Sequence, residues 1–456
     1  MKNNVVGSAY VIIAIMSLFL GLTFGILGGL QYAFPDFLKL DFSFQKIRPL
    51  HTYLSVNWIF CAATGIIYYY LPEVSRRKIF STVLGKIQAG LQVLILVVVC
   101  VFFILGKFSG REYLEFPPYM VAIIVLAWVM FMLNVFITLK PNYKTAPVYI
   151  YSWTTGLVFF LLTILEAQLW QLPFFNNNII RDVTVQWKAM GAFVGSWNAL
   201  VYGTAMYAME RISGDKSINR SKKAFFFYFL GLTNLMFNWG HHTYIVPASP
   251  WIKTISYVIS MTELLILANI IWGFRQSYIK ANYQNNKLSF KFLTYAEMWI
   301  LLNLILSISI SVPYINQFTH GTHITVAHAM GSTIGINTLL ILASLTLIMD
   351  EINPKCLSLK TYSRWVLTFN TALFFFWFSL IGMGLNKIAG TLENKGFQQI
   401  MDELMPYFKV FAASGGVLLV ALVAMLLPIL KFAVQSLSEE VVEDNFDGVK
   451  VQTDYK

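Results

Sequence analysis

Long apolar runs, separated by short polar stretches, recur from one end of this chain to the other. A helix needs about 20 apolar residues to cross a ~30 Å hydrocarbon core. Twelve runs meet that length and are expected to be spanning helices: Tyr10–Tyr32, His51–Leu71, Leu84–Leu105, Pro118–Leu139, Val148–Leu169, Trp187–Met209, Ala224–Ile245, Trp251–Phe274, Phe292–Val312, Ile324–Leu347, Trp365–Leu385 and Phe408–Val434. The first run is too long for a cleaved signal peptide and lacks a small-residue cleavage site. The expected architecture is therefore an all-α integral membrane protein, a single twelve-helix domain over residues 1–436. An acidic tail over 437–456, with Glu439, Glu440, Glu443, Asp444 and Asp447, is expected to be solvated and disordered.

Composition agrees with the pattern. The 456 residues would suffice for two or three soluble domains, yet 57% are apolar, 16% aromatic and 12% charged. That charged share is about half of what a globular protein carries, too little to cover a soluble surface. The formal charge of +11 forms no basic stripe or arm, so nucleic acid is not an expected partner. Assigned alternately to the two sides of twelve spans, 22 of the 33 Lys and Arg fall on the side of the termini. This bias puts both termini in the cytoplasm and independently supports an even number of spans. Cys61, Cys100 and Cys356 lie far apart without a CxxC, which excludes a disulfide scaffold, a zinc ribbon and covalently attached haem c.

The six histidines carry the main functional signal. His51 opens the second span in HTYLSVNW, His241 and His242 end the seventh in NWGHHTY, and His320, His323 and His328 surround the start of the tenth in THGTHITVAHAM. All fall in the non-cytoplasmic half of the bundle. One histidine on a spanning helix is usually a structural hydrogen-bonder. Several converging at one depth point instead to a metal or haem site, because polar groups there face the interior and imidazole is the commonest such ligand. Positions 328 and 330 stand about 200° apart on the helical wheel, which suits a helix wedged between two cofactors, whereas His323 and Met330 share a face. Two iron-ligand candidates in a chain without CxxCH suggest non-covalent haem.

Three segments, HTYLSVNWIFCAATGIIYYYLPE, NWGHHTYIVPASPWIK and YINQFTHGTHITVAHAMGSTIGIN, resemble the catalytic subunit of the haem–copper oxidase superfamily. They are most similar to the NorB-type large subunit of cytochrome c-dependent nitric oxide reductase. The resemblance implies two haems b, one low-spin and one high-spin, a multi-pass place in the bacterial cytoplasmic membrane and a membrane-anchored cytochrome c partner. By the same likeness His328 is the proximal ligand of the high-spin haem, and His51 is one axial ligand of the low-spin haem. His241 and His242 match two ligands of a non-haem metal. His320 matches a polar cluster near the haem propionates, where a divalent cation such as calcium often sits. Glu263, in ISMTELL, matches a glutamate that helps to deliver protons.

Two positions depart from the family pattern. Met330 stands where the second low-spin ligand would be a histidine; it is either a thioether ligand opposite His51 or a core methionine. The sixth span has no histidine, so the first non-haem ligand is missing. Aligned on VGSWNALVYG, its position falls on Asn198, or on Trp197 with a slip of one. Four residues on, Tyr202 stands where nitric oxide reductases place a glutamate ligand. Two imidazoles with oxygen donors from Asn198 and Tyr202 disfavour copper and leave non-haem iron or an empty site. The expected reaction is reduction of NO to nitrous oxide. Three alternatives stay open: nitric oxide dismutation, which Asn198 matches; O2 reduction, which Tyr202 matches; and a non-catalytic haem subunit that relays electrons or senses gas. Glu166, a further intramembrane carboxylate in the fifth span, receives no role.

Overall fold

The computed structural model describes residues 4–109, 111–263, 265, 287–353 and 357–453, with side chains described to Ser438 in the last helix. The helices are α1 (Val5–Ala33), α2 (Phe44–Ser75), α3 (Thr82–Ile104), α4 (Met120–Leu139), α5 (Val148–Glu166), α6 (Ile179–Ser213), α7 (Lys222–Phe237) and α8 (residues 250–263). They continue with α9 (Lys287–Ser311), α10 (His323–Ile352), α11 (Leu359–Leu392) and α12 (Phe397–Ser438). Among the described residues there is no strand, and nine helices are long and apolar enough to cross a membrane. The other three, α6, α7 and α8, occupy the places of the expected sixth to eighth spans. Residues 264 and 266–274 of the expected eighth span, Cys356, and the expected tail's side chains from 439 onward lie outside the described residues.

Several helices start on a polar cap. The side chains of Asn4, Ser81, Asn178, Ser221 and Thr322 accept backbone N–H bonds at the first turns of α1, α3, α6, α7 and α10. These bonds satisfy donors that a helix start otherwise leaves open. Most helices run a few residues past the apolar stretch, because the interface tolerates polar residues while the backbone stays helical.

The expected seventh span ends early. α7 stops at Phe237 and a tight 3-10 segment, Asn238–Thr243, carries the histidine pair. Gly240 makes that segment fit, since a Cβ there would come within 2.9 Å of Ser256 Cβ and 3.1 Å of the Ile252 carbonyl. A second irregularity follows Met330: residues Gly331–Thr338 of α10 form a π-helix. Inside it, Asn337 and Thr338 donate side-chain hydrogen bonds to the carbonyls of Ser332 and Thr333, five residues back.

Burial ranks the helices. In α2 and α10 the membrane windows are 89% and 83% buried, against 28–61% for the other seven spans. α10 packs against α2, α6, α9 and α11, and α2 against α1, α4 and α6. An aromatic knot at Phe60 of α2, with Trp128, Phe160, Phe193 and Trp197, ties α2 to α4, α5 and α6. Polar side chains bridge helices as well. Asn57 donates to Ser17 and accepts from Gln92, both at 2.7 Å, and Tyr68 donates to Gln88 at 2.7 Å. Such bonds and close van der Waals packing hold helices together where lipid supplies no hydrophobic drive.

Candidate functional site

The two most enclosed helices carry His51, His328 and Met330. His51 lies about two turns from the start of α2, against two glycines of α1. A Cβ on Gly25 would lie 2.6 Å from His51 Nδ1, and Nδ1 itself is 2.7 Å from the Gly21 carbonyl oxygen. A carbonyl only accepts, so Nδ1 carries the proton and the ring's free lone pair is on Nε2. Metal-bound histidines are typically held in this way, by donating the other ring N–H to a backbone carbonyl.

The other histidines gather at the same end of the bundle. The rings of His241 and His242 are 4.4 Å apart between centroids. His241 Nδ1 is 3.1 Å from Ser260 Oγ of α8, and His242 stacks on Trp187 of α6 at 4.5 Å and 3°. Trp187 also meets His320 edge-on at 6.4 Å. Both members of the pair lie within electrostatic reach of His320 and His328. His328 Nδ1 is buried and has no hydrogen-bond partner among the described residues. His323 stands apart, edge-on to Tyr32 at 6.2 Å and Phe408 at 5.7 Å.

Two further expected residues adjoin this group. Glu263 accepts from Asn238 Nδ2 at 3.1 Å, three residues before His241, and faces Ser307 Oγ at 3.5 Å. Tyr202 lies within electrostatic reach of Glu263. Asn198 is not brought to the histidine pair. Its amide oxygen accepts from Asn337 Nδ2 at 3.1 Å, and Asn337 lies nine residues beyond His328, roughly 13 Å deeper along α10. Met330 is half-buried against the core. The unassigned Glu166 has a plain partner: it pairs with Lys188 of α6.

Sequence reasoning missed Trp187, Ser260, Asn238 and Asn337. Asn337 had a signal, as an amide deep in an apolar run. Trp187 had a weaker one, since it shares a face of α6 with Asn198 and stands about three turns away.

A family model described as cytochrome C and quinol oxidase polypeptide I matches residues 5–418. The chain belongs to that family. Its members are oxidoreductases, and membership implies haem and metal cofactors in a multi-pass membrane protein. Among the curated relatives of this oxidase-family chain, the nitric oxide reductase B subunit of Stutzerimonas stutzeri is 22% identical over 461 residues, covering 93% of this chain and 94% of that one. The cbb3-type cytochrome c oxidase subunit CcoN1 of the same organism is also 22% identical, over 89% of this chain and 90% of its own. The fold is similar to a solved heme-copper terminal oxidase dimer, with a TM-score of 0.71 at 13% identity, covering 95% of this chain and 84% of that one.

The residues fit the two cofactor kinds unequally. His51, with Nδ1 committed to a backbone carbonyl, and His328, half-buried with its Nδ1 enclosed, are chemically suited to haem iron. For a second metal the fit fails: among the described residues no three His, Cys, Asp or Glu side chains converge in a ligating arrangement. Two adjacent imidazoles are present without a third donor of that kind, and the amide oxygen of Asn198 accepts a hydrogen bond from Asn337.

Proposed function

We propose that this oxidase-family subunit is a haem-containing nitric oxide reductase of the cytochrome c-dependent type, in a bacterial cytoplasmic membrane. It has twelve spans with both termini cytoplasmic. The reaction is 2 NO + 2 e⁻ + 2 H⁺ → N2O + H2O, with electrons from a membrane-anchored cytochrome c subunit. The observation that carries the reading is the placement of His51 and His328 on the two most enclosed helices, with the His241–His242 pair within electrostatic reach of His328. When bound, haem supplies an iron that takes up electrons and binds a diatomic gas.

The chain's own residues do the rest. His51 orients through Gly21, and His328 lies within electrostatic reach of the pair. Stacking on Trp187 holds His242, and the Ser260 hydroxyl holds His241. Glu263, hydrogen-bonded to Asn238 three residues before His241, acts as the proton donor, with Tyr202 within its electrostatic reach. No step passes through a second metal or a divalent cation, because the described donor set does not complete a site.

Oxygen reduction is the second reading, favoured by Tyr202 within electrostatic reach of Glu263 and by a cbb3-type relative of equal identity. The purified chain is expected to hold two haems b and less than one non-haem iron per pair of haems. With reduced cytochrome c and NO it is expected to release nitrous oxide, and Glu263→Gln to slow that release by about 10²-fold or more. Oxygen uptake without nitrous oxide would establish the second reading; haem without either turnover would leave an electron-relay subunit. A full equivalent of iron would overturn the two-imidazole site.

A further inference from the structure

A cavity of about 260 Å³ opens beside the histidine end of the bundle, between the loop after the 3-10 segment, α8, and the short helix Pro313–Thr319 that follows α9. Tyr244, Lys253, Thr254, Tyr257, Pro313 and Gln317 line it. Its lining holds one charged side chain, a cation. Lys253 Nζ spends one of its three donors on the Tyr244 carbonyl at 2.9 Å, which fixes the loop across the cavity's edge. The Tyr244 hydroxyl is buried and has no partner among the described residues. A buried hydroxyl without a partner costs free energy, and a ligand acceptor would remove that cost.

The surroundings suit a membrane surface. Ile245 of the lining is 57% exposed, and Trp251 and Tyr314, which flank lining residues in sequence, are 63% and 74% exposed. Ile255 and Val258 continue an exposed apolar strip along α8, one and two turns below Trp251. Aromatic residues of this kind mark the headgroup level, and a lysine there attracts anionic lipid. The volume exceeds what a single ion needs and suits a headgroup with its phosphate.

We propose that this cavity binds the phosphate of an anionic phospholipid. Lys253 supplies the positive charge, the Tyr244 hydroxyl and the Gln317 amide donate to phosphate oxygens, and the acyl chains lie along Trp251, Ile255 and Val258. None of these residues belongs to the histidine cluster, so the site is independent of the redox reading.

The test uses the full chain, extracted from membranes in mild detergent and stripped of lipid. Phosphatidylglycerol, phosphatidylcholine or inorganic phosphate is then added back, and bound molecules are counted by native mass spectrometry. The wild-type chain is expected to keep one tightly held phosphatidylglycerol in preference to phosphatidylcholine. Lys253→Gln and Tyr244→Phe should each weaken retention about fivefold or more, and Lys253→Arg should restore it. Circular dichroism confirms that each variant remains folded. Equal retention by wild type and K253Q overturns the proposal. Occupancy by inorganic phosphate with no lipid preference overturns the lipid assignment.

Discussion

The most informative single contact is His51 against α1. Gly25 leaves space for an imidazole that a methyl group would take, and the Gly21 carbonyl fixes the ring's protonation. Gly25→Ala should push the ring off that carbonyl at a cost of about 1–3 kcal/mol and disturb the low-spin haem spectrum. Absorbance of the reduced chain would read the change; an unaltered low-spin band in a folded G25A chain would remove His51 from the ligand set. Met330 is tested differently. His/Met ligation holds a haem potential above that of His/His, so Met330→His is expected to lower the low-spin midpoint potential. A titration that finds spectrum and potential unchanged identifies Met330 as packing. The sequence named both residues as candidates. It could not foresee that Gly21 and Gly25, about thirty residues upstream, would make His51's geometry.

At the scale of elements, the departures from regular helix lie beside the chemistry. α7 breaks into the 3-10 segment that turns His241 and His242 toward Trp187 and Ser260, and α10 widens into a π-helix directly after Met330. Such π segments cost regular bonding and recur at functional sites. Gly335 sits in this one, where a Cβ would meet the Trp299 ring at 2.8 Å. Trp299 is fully buried and donates to Asn370 at 2.8 Å, so it has nowhere to retreat. Gly335→Ala should destabilise the chain by about 1–3 kcal/mol and lower its thermal midpoint. Gly90→Ala on the exposed face of α3, with no atom within 4 Å of the added methyl, should leave the midpoint level or raise it slightly. Equal shifts for the two variants would refute the tight π-helix packing. Apolar periodicity located these helices but not the breaks, because a 3-10 or π turn changes hydrogen bonding without changing which residues are apolar.

Over the whole molecule, burial and charge divide the work. The least lipid-exposed helices, α2 and α10, carry the haem-ligand candidates, while α3 and α4 turn most of their surface outward. Ion pairs mark both ends: Arg48–Glu115 at 2.6 Å and Arg111–Asp182 at 2.5 Å at the histidine end, and Arg211 with Glu73 and Glu351 at the other. The excess of Lys and Arg on the side of the termini predicts orientation. A fluorescent-protein fusion at the C-terminus should glow in intact cells and an alkaline phosphatase fusion there should be inactive; the opposite pair would invert the topology.

The amino-acid pattern alone marks a multi-span membrane protein and singles out the histidines as candidate ligands. Apolar run length, the sidedness of charge and the rarity of histidine at depth are local properties, readable one residue at a time. It also determined what is missing, since a histidine absent from the sixth span cannot be supplied by folding. Which candidates meet depends on how the helices pack. Asn198 and Tyr202 share one face of α6, yet Tyr202 lies within electrostatic reach of Glu263 while Asn198 accepts a hydrogen bond from Asn337. The partner of a polar side chain in a membrane is set by the depth and rotation of neighbouring helices, and those follow from packing across the bundle.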